Sequence, residues 1–405
     1  MKTGFLLLAL LIASGIGWAG DADIARKAGM DASKLGAIHT RFQKFVDDQQ
    51  IAGAVTLVSR RGEIVHFDAV GSIDIEAKKP MKRDSIFQIA SMTKPITAIG
   101  IMMLEEEGKL SVDDPVEKHL PEFRGQMLIQ KREGGTVTLT KPARPITLRD
   151  LLTHTSGLAG PPSGMADLYR KRDRTLAEAV IAFSQRPLDF EPGLRWSYCN
   201  TGIDTLGRVI EVVSGKSYED FLNERLFRPL GSKDTFFYPQ KSDLSRIATL
   251  YKQEKGKLAR SDNFLGNAIG GKYPLPAGGL FSTANDLAKI YQMMLNRGDW
   301  KGKQLLSVAS VEKMTKLQSG EIKTGFVDGM GWGFGWAVVR EPKGVTEMLS
   351  PGTYGHGGAF GTQAWIDPKK EMFFILLVQR SNIPNSDASD MRRELQALAV
   401  AAITE

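Results

Sequence analysis

The sequence predicts an α+β fold in which one antiparallel sheet, built from both ends of the chain, carries an inserted and mainly helical subdomain. Two strand-like segments near the start are separated by Arg60-Arg61-Gly62, which predicts a hairpin. Helix-period patterns occupy the middle of the chain, and strand patterns return after Gly331. The strand-like segments are 54–59, 63–69, 333–339, 362–366 and 372–379. This order predicts a cleft at the seam between sheet and helices.

A leader and a single domain are predicted along the chain. Residues 1–19 have the pattern of a secretory signal peptide, in which Lys2 precedes an apolar run at 5–12. The run is too short to span a bilayer, and no cysteine lies nearby to carry a lipid. We therefore expect a secreted or periplasmic protein without a stable membrane anchor after cleavage. The predicted boundaries are a signal at 1–19 and one domain at 20–405, with an α/β part at about 24–90 and 270–405 and a helical part at about 91–269.

The composition is that of a globular protein, because 42% of the 405 residues are hydrophobic and 24% are charged. The formal net charge of +7 at pH 7 is spread along the chain without a basic run, so we expect no nucleic-acid partner. Cys199 is the single cysteine and cannot form an intrachain disulfide. The five histidines lack metal-ligand spacing, so we expect no metal and no cofactor.

A buried helix is predicted from Ser91 to Leu104. Its apolar residues recur at helical spacing on one side and fill much of the other, and a helix that is apolar nearly all round is usually buried. An acidic stretch at 105–107 and then Gly108 mark the return to solvent and the end of the helix. The apolar positions are Met92, Ile96, Ile99, Ile101, Met102, Met103 and Leu104.

Ser91 and Lys94 stand at the start of this helix, three residues apart and therefore on one face. Burial disfavours the charged form of a lysine, and a neutral amine beside a hydroxyl can take its proton and make a nucleophile. Pro95 near the first turn agrees with a helix that starts at Ser91. A Ser-x-x-Lys pair also arises by chance, and Ser310/Lys313 in a polar helix is interpreted as such a match. The motif alone leaves both interpretations open.

Two further segments are candidates for the same site. Tyr198 and Asn200 open a predicted helix that ends before Gly215, and packing by the tyrosine with capping by the asparagine is the simpler explanation of this pair alone. The segment 355–361 is rich in glycine, which lets backbone amides approach a substrate oxygen closely. A bent edge strand is the alternative interpretation of that segment.

Together these motifs resemble the serine β-lactamase and penicillin-binding-protein superfamily, most closely its class C-like branch and the family VIII carboxylesterases. The superfamily pattern is Ser-x-x-Lys, then Tyr-x-Asn, then Lys/His/Trp-x-Gly on a late strand. The matching residues here are Ser91/Lys94, Tyr198/Asn200 and His356/Gly358, with further similarity at 150–157 and 278–283. The resemblance covers most of the chain and implies a β-lactamase/transpeptidase-like fold.

The resemblance implies a role for each matching residue. Ser91 would be the acylated nucleophile, while Lys94 and Tyr198 would share the proton transfers. Asn200 would orient the lysine or a substrate amide. The backbone amides of Ser91 and Ala359 would form the oxyanion hole.

The third motif departs from the usual superfamily residue. His356 stands where lysine is usual, and Gly358 completes the motif. A histidine is neutral at least part of the time near pH 7, so it grips a substrate carboxylate less firmly than a lysine does. Cys199 inside Tyr-x-Asn is larger than the residue often found there, and we interpret it as a packing residue.

The function implied by the resemblance is that of an exported serine hydrolase, with short acyl esters as the expected substrates. The alternatives are a class C-like β-lactamase or a D-alanyl-D-alanine carboxypeptidase, and, from another class, a penicillin-binding sensor that does not turn over. The expected partner is thus a small-molecule ester, β-lactam or peptide. A Ser-His-Asp triad using His154 is a further alternative, but the resemblance implies a structural role for His154.

Overall fold

The computed structural model of the protein describes residues 22–266 and 268–404. The predicted signal peptide at 1–19 lies outside these residues. Within them, no helix has both the length and the apolar character needed to cross a membrane.

Most strands belong to one antiparallel sheet of eight strands, in the order β12-β13-β14-β15-β16-β1-β2-β3. The first three come from the start of the chain and the other five from its end, which confirms the predicted sheet. The strands are β1 (Gly53–Arg60), β2 (Glu63–Asp74), β3 (Lys79–Pro80), β4 (Phe87–Gln88), β5 (Leu128–Glu133), β6 (Thr136–Thr140), β7 (Tyr251–Glu254), β8 (Lys257–Arg260), β9 (Phe281–Ser282), β10 (Asp299–Trp300), β11 (Lys303–Gln304), β12 (Met330–Trp332), β13 (Ala337–Val339), β14 (Tyr354–Gly357), β15 (Gln363–Asp367) and β16 (Met372–Val378).

Helices fill the insertion between β3 and β12 and also cover both faces of the sheet. The α-helices are α1 (Ala22–Lys27), α2 (Ala32–Asp47), α3 (Thr93–Glu106), α4 (Val116–His119), α5 (Leu148–Leu152), α6 (Leu168–Lys171), α7 (Leu176–Ser184), α8 (Asn200–Ser214), α9 (Tyr218–Leu222), α10 (Arg228–Leu230), α11 (Ala284–Leu295), α12 (Val308–Thr315) and α13 (Asp390–Ala401). Helices α2 and α13 pack on one face of the sheet, and α11 and α3 lie against the other. The predicted division into two parts of one domain remains a prediction.

Helix α3 is the buried helix that the sequence predicts. Every side chain from Thr93 to Leu104 is buried, and each isoleucine or leucine contributes roughly 1.5–3 kcal/mol to stability through the apolar surface it buries. The helix leaves the core at Glu105 and Glu106. Its amino-terminal end, preceded by the short 3-10 turn Ala90–Met92, faces β14 across the seam.

The single strand predicted at 333–339 is wrong. The structure has the hairpin β12–β13, because the chain turns at Gly333–Trp336. Gly335 has φ +73° there, and a Cβ on it would lie 2.6 Å from Ala98 Cβ of α3. The turn therefore packs directly on the buried helix, a contact that strand periodicity does not report.

Candidate active site

Ser91 lies in the 3-10 turn that precedes α3. Its neighbour Ala90 has φ +48°, a strained conformation that costs on the order of 1–3 kcal/mol outside glycine. Side chains hold this turn in place, since Thr93 Oγ1 donates to Ala90 O at 2.7 Å and Thr362 Oγ1 donates to Ile89 O at 3.0 Å. The strained backbone next to Ser91 is thus supported from both α3 and the β14–β15 connection.

Lys94 lies in the first turn of α3, with its side chain fully buried. Its Nζ atom donates to Ser91 Oγ at 3.0 Å and to the carbonyl oxygen of Ala277 at 2.7 Å. Burial lowers the pKa of Lys94 below its usual range, and the nearby carboxylate of Asp204 opposes that shift. A buried amine in contact with a serine hydroxyl can accept the proton of that hydroxyl.

Asp204 is a member of this cluster that sequence reasoning missed. It is fully buried on α8, where Oδ1 accepts from Ala277 N at 2.8 Å and Oδ2 accepts from the Tyr169 hydroxyl at 3.2 Å. Burial raises its pKa, while the charge of Lys94 opposes the rise. The available signal was its position four residues after Asn200, which places both on one helix face. The backbone of Ala277 therefore contacts both side chains, through its amide to Asp204 and through its carbonyl oxygen to Lys94.

Tyr198 brings its hydroxyl to Ser91 from the segment before α8. The Ser91 side chain is close enough to act on that hydroxyl and opposes the rise in its pKa, and Lys94 Nζ lies 4.6 Å from the centre of the Tyr198 ring. Burial raises the pKa of Tyr198 above its usual value. The phenol is therefore protonated near neutral pH and can donate or relay a proton.

His154 packs against the ring of Tyr198. Its Nδ1 accepts a hydrogen bond from Cys199 N at 3.2 Å, and its ring centre lies 4.5 Å from that of Tyr198 and 5.2 Å from that of Trp332. Burial lowers its pKa well below the usual value, so the ring is neutral. These contacts favour the structural role expected for His154. Cys199 is buried beside it, with Sγ 3.0 Å from Thr201 Oγ1, as expected of a packing residue.

The third motif lies on β14, across the cleft from α3. His356 is buried, and its Nδ1 donates to the carbonyl oxygen of Gly357 at 2.6 Å. Burial, followed by the charge of Lys94, lowers the pKa of His356 to about 3. Gly358 N donates to Thr362 O at 2.7 Å, and a Cβ on Gly358 would lie 2.5 Å from Ile89 O. The glycine thus lets β14 approach the strained turn before Ser91.

Ala359 and Asn200 complete the group of predicted site residues. Both line a cavity of about 70 Å³ with Ser91. Asn200 Oδ1 is buried and has no hydrogen-bond partner among the described residues, so it is available to a bound molecule. The cavity is also lined by Ala90, Tyr169, Phe264, Leu265, Leu275, Ala277 and Gly278. Ser91, Asn200 and Ala359 thus line this cavity, and the other predicted site residues contact the same cluster; these are Lys94, Tyr198, His356 and Gly358.

Most of the chain is similar to proteins of one known family. The Beta-lactamase family pattern matches residues 38–399. The chain belongs to the beta-lactamase family. The resemblance predicted from the three motifs is confirmed, and the chain is a hydrolase of the beta-lactamase superfamily.

Relatives with esterase and penicillin-binding names are similar to this chain. Esterase EstB of Burkholderia gladioli is 29% identical over 86% of this chain and 91% of its own length. Penicillin-binding protein 4 of Amycolatopsis lactamdurans is 33% identical over 80% of this chain and 78% of its own length. The solved structure of EstCE1, described as a hydrolase with promiscuous acyltransferase activity, superposes with a TM-score of 0.76 at 26% identity, covering 92% of this chain and 99% of that one.

In the described part of the chain, no group of three or more histidine, cysteine, aspartate or glutamate side chains could hold a metal ion. The groups that this cluster offers for a reaction are the serine, the buried amine, the phenol and the backbone amides around the cavity.

Proposed function

We propose that this beta-lactamase-family protein is an exported carboxylesterase that hydrolyses short acyl esters through an acyl-enzyme on Ser91. The observation that carries the proposal is the 3.0 Å contact between Ser91 Oγ and the buried Lys94 Nζ, and the interaction of Ser91 with the Tyr198 hydroxyl supports it. A hydroxyl between a neutral amine and a protonated phenol has both a base and an acid within reach.

In the acylation step, Ser91 Oγ attacks the ester carbonyl carbon while its proton moves to Lys94 Nζ. The amides of Ser91 and Ala359 stabilise the oxyanion that forms. The carbon–oxygen bond to the alcohol then breaks, and the departing oxygen takes a proton from the Tyr198 hydroxyl, which is refilled from Lys94. The alcohol leaves, and the acyl group stays on Ser91.

In the deacylation step, a water molecule attacks the acyl carbon in the same oxyanion hole. Tyr198 and Lys94 accept the proton of that water by the reverse relay, and the bond to Ser91 Oγ breaks as the serine regains a proton. The raised pKa of Tyr198 and the lowered pKa of Lys94 fit these roles, because near neutral pH the phenol keeps the proton that it donates and the amine can be neutral and accept one.

Three observations support an ester as the substrate. His356 has a pKa of about 3 and is neutral at pH 7, so it offers no charge to a substrate carboxylate. The cavity beside Ser91 is about 70 Å³, small against the roughly 300 Å³ or more of pockets that enclose drug-sized ligands, and it suits a short acyl chain. Esterase EstB is also among the similar proteins.

The second candidate is a β-lactamase or a D-alanyl-D-alanine carboxypeptidase, which the similarity to penicillin-binding protein 4 favours. Values of kcat/KM for p-nitrophenyl butyrate, nitrocefin and a D-Ala-D-Ala peptide, measured at neutral pH, separate these functions, with Ser91→Ala as the inactive control. The proposal expects the butyrate ester to have the largest value. A larger value for nitrocefin or the peptide would contradict it, and a burst without turnover would indicate a sensor.

Export is proposed from residues 1–19 and is tested separately. The full chain would be expressed in a Gram-negative host, and the protein from the periplasmic fraction would be sequenced from its amino terminus. A start near residue 20 supports export, and an uncleaved protein in the cytoplasm contradicts it.

A further inference from the structure

A carboxylate and a guanidinium lie side by side behind the third motif. Asp387 belongs to the 3-10 turn Ser386–Ala388, which precedes α13, and Arg392 lies in the first turns of α13. Their side chains line one narrow cavity together with His356 and Gly357. Neither residue belongs to the three motifs that identify the family, and the contacts of the pair indicate its role.

Asp387 is the more exposed member of the pair and lies against β14. Its side chain is 16% exposed, against 1% for Arg392. A Cβ placed on Gly357 would lie 2.1 Å from Asp387 Oδ1, so the carboxylate rests against the backbone of β14. Gln363 Nε2 donates to the same oxygen at 3.2 Å. Burial, with a contribution from the charge of Asp387, raises the pKa of Tyr198, so this charge is felt within the active site.

Arg392 is a buried cation that does not use all of its hydrogen-bond donors among the described residues. Its Nη1 donates to the backbone oxygen of Asp387 at 2.7 Å and lies 4.0 Å from the Asp387 carboxylate, while the guanidinium stacks at 3.8 Å on Trp365. Among the described residues, its Nε and Nη2 atoms have no hydrogen-bond partner. Burial lowers its pKa only to about 10, so it is charged at pH 7. Such a guanidinium readily accepts an anionic partner.

We propose that Asp387 masks Arg392 and thereby makes the cleft reject substrates that carry a carboxylate beside the scissile bond. Asp387 compensates the guanidinium and holds its own carboxylate against Gly357, beside the third-motif residue His356. Burial raises the pKa of Asp387, and the charge of Arg392 opposes that rise. A substrate that follows β14 from His356 would pass this carboxylate. A carboxylate on that substrate meets a like charge, and the neutral His356 does not offset it. The preferred substrates are therefore esters that are neutral or cationic at this position. This inference rests on the proposed esterase function.

A matched pair of substrates tests the proposal. The esters 3-carboxyphenyl butyrate and 3-carbamoylphenyl butyrate have nearly the same size and differ in charge. We expect the wild-type protein to prefer the carbamoyl ester in kcat/KM by roughly tenfold or more, the scale of a like-charge contact near a protein surface. In Asp387→Asn the Arg392 charge is uncovered, so the ratio should shift by about tenfold or more toward the carboxylate ester.

Two further variants locate the effect. Asp390→Asn removes the same charge three residues further on, at the start of α13, but Asp390 is 73% exposed, so the ratio should stay at the wild-type value. Adding Arg392→Met to Asp387→Asn should remove the shift, because the uncovered cation is lost. An unchanged ratio in Asp387→Asn, or an equal shift in Asp390→Asn, would overturn the proposal.

The proposal can also be tested without any variant. Inhibition of the wild-type protein by 3-carboxyphenylboronic acid and 3-carbamoylphenylboronic acid compares the two charges directly on Ser91. Masking predicts tighter inhibition by the carbamoyl compound, and equal inhibition constants would overturn it. If the wild-type protein hydrolyses neither butyrate ester, the proposed esterase function fails, whereas the boronic acids still decide the question of masking.

Discussion

Lys94 Nζ lies 3.0 Å from Ser91 Oγ, and the same nitrogen contacts the carbonyl oxygen of Ala277 at 2.7 Å. The first contact follows from spacing, since residues three apart on a helix share a face. The second comes from a loop far along the chain and holds the amine in place. Together the two contacts position the amine of Lys94 as a base beside Ser91.

The first prediction is that Lys94 and Tyr198 act as a unit. Lys94→Ala and Tyr198→Phe should each lower kcat/KM for p-nitrophenyl butyrate by about a thousandfold or more, because each loses a positioned proton-transfer group and weakens activation of the nucleophile. The double variant should lose far less than the product of the two losses, as groups that act together do. A loss equal to that product would show independent roles.

The chain contains its own control for this experiment. Lys313 belongs to the second Ser-x-x-Lys match, but the structure places it on α12 with its amine 2.8 Å from Glu105. Lys313→Ala should therefore leave kcat/KM close to the wild-type value. The partly buried ion pair that it removes contributes to stability and not to the reaction.

The second prediction concerns the dependence of rate on pH. The value of kcat/KM should rise with pH as Lys94 loses its proton, with a midpoint below the usual lysine pKa of about 10.4, because burial lowers that pKa. His356, with a pKa of about 3, should add no inflection near pH 6.5. Asp204→Asn removes a charge that raises the pKa of Lys94, so the midpoint should move to lower pH. A midpoint that moves upward, or an equal shift in the exposed control Asp220→Asn, would contradict this.

The third prediction separates the structural role of His154 from a catalytic one. His154→Ala removes a buried ring and the acceptor of the Cys199 amide, which should lower the free energy of unfolding by about 2–4 kcal/mol. Under conditions where the variant is folded, Ser91 should still react with a fluorophosphonate. Chemical denaturation and labelling measure the two effects. A stable variant that has lost all labelling would instead indicate a Ser-His-Asp triad.

Much of this fold could be predicted because its signals are local. The burial of α3 follows from apolar residues around the whole helix, and the hairpin β1–β2 follows from two strand patterns around Arg60-Arg61-Gly62. The placement of Ser91 beside Lys94 likewise needs only the helical period. These features depend on residues close together in the chain, so periodicity and spacing are sufficient to find them.

The features that escaped prediction depend on contacts between distant parts of the chain. Asp204 belongs to the site because its carboxylate accepts from the amide of Ala277, which lies 73 residues away. Asp387 lies against Gly357 of β14 because a 3-10 turn far along the chain places it there. The sequence pattern at 333–336 predicts a strand, but the chain turns there because Gly335, with a positive φ, packs on α3. No local pattern carries this information.

The most direct test of the central claim is to identify the residue that a fluorophosphonate modifies. Intact-mass spectrometry of the wild-type protein should show one adduct, and peptide mapping should place it on Ser91. Ser91→Ala should give no adduct and no hydrolysis of p-nitrophenyl butyrate, while its unfolding transition stays close to that of the wild-type protein. An adduct on another residue, or a Ser91→Ala protein that still hydrolyses the ester, would contradict the account.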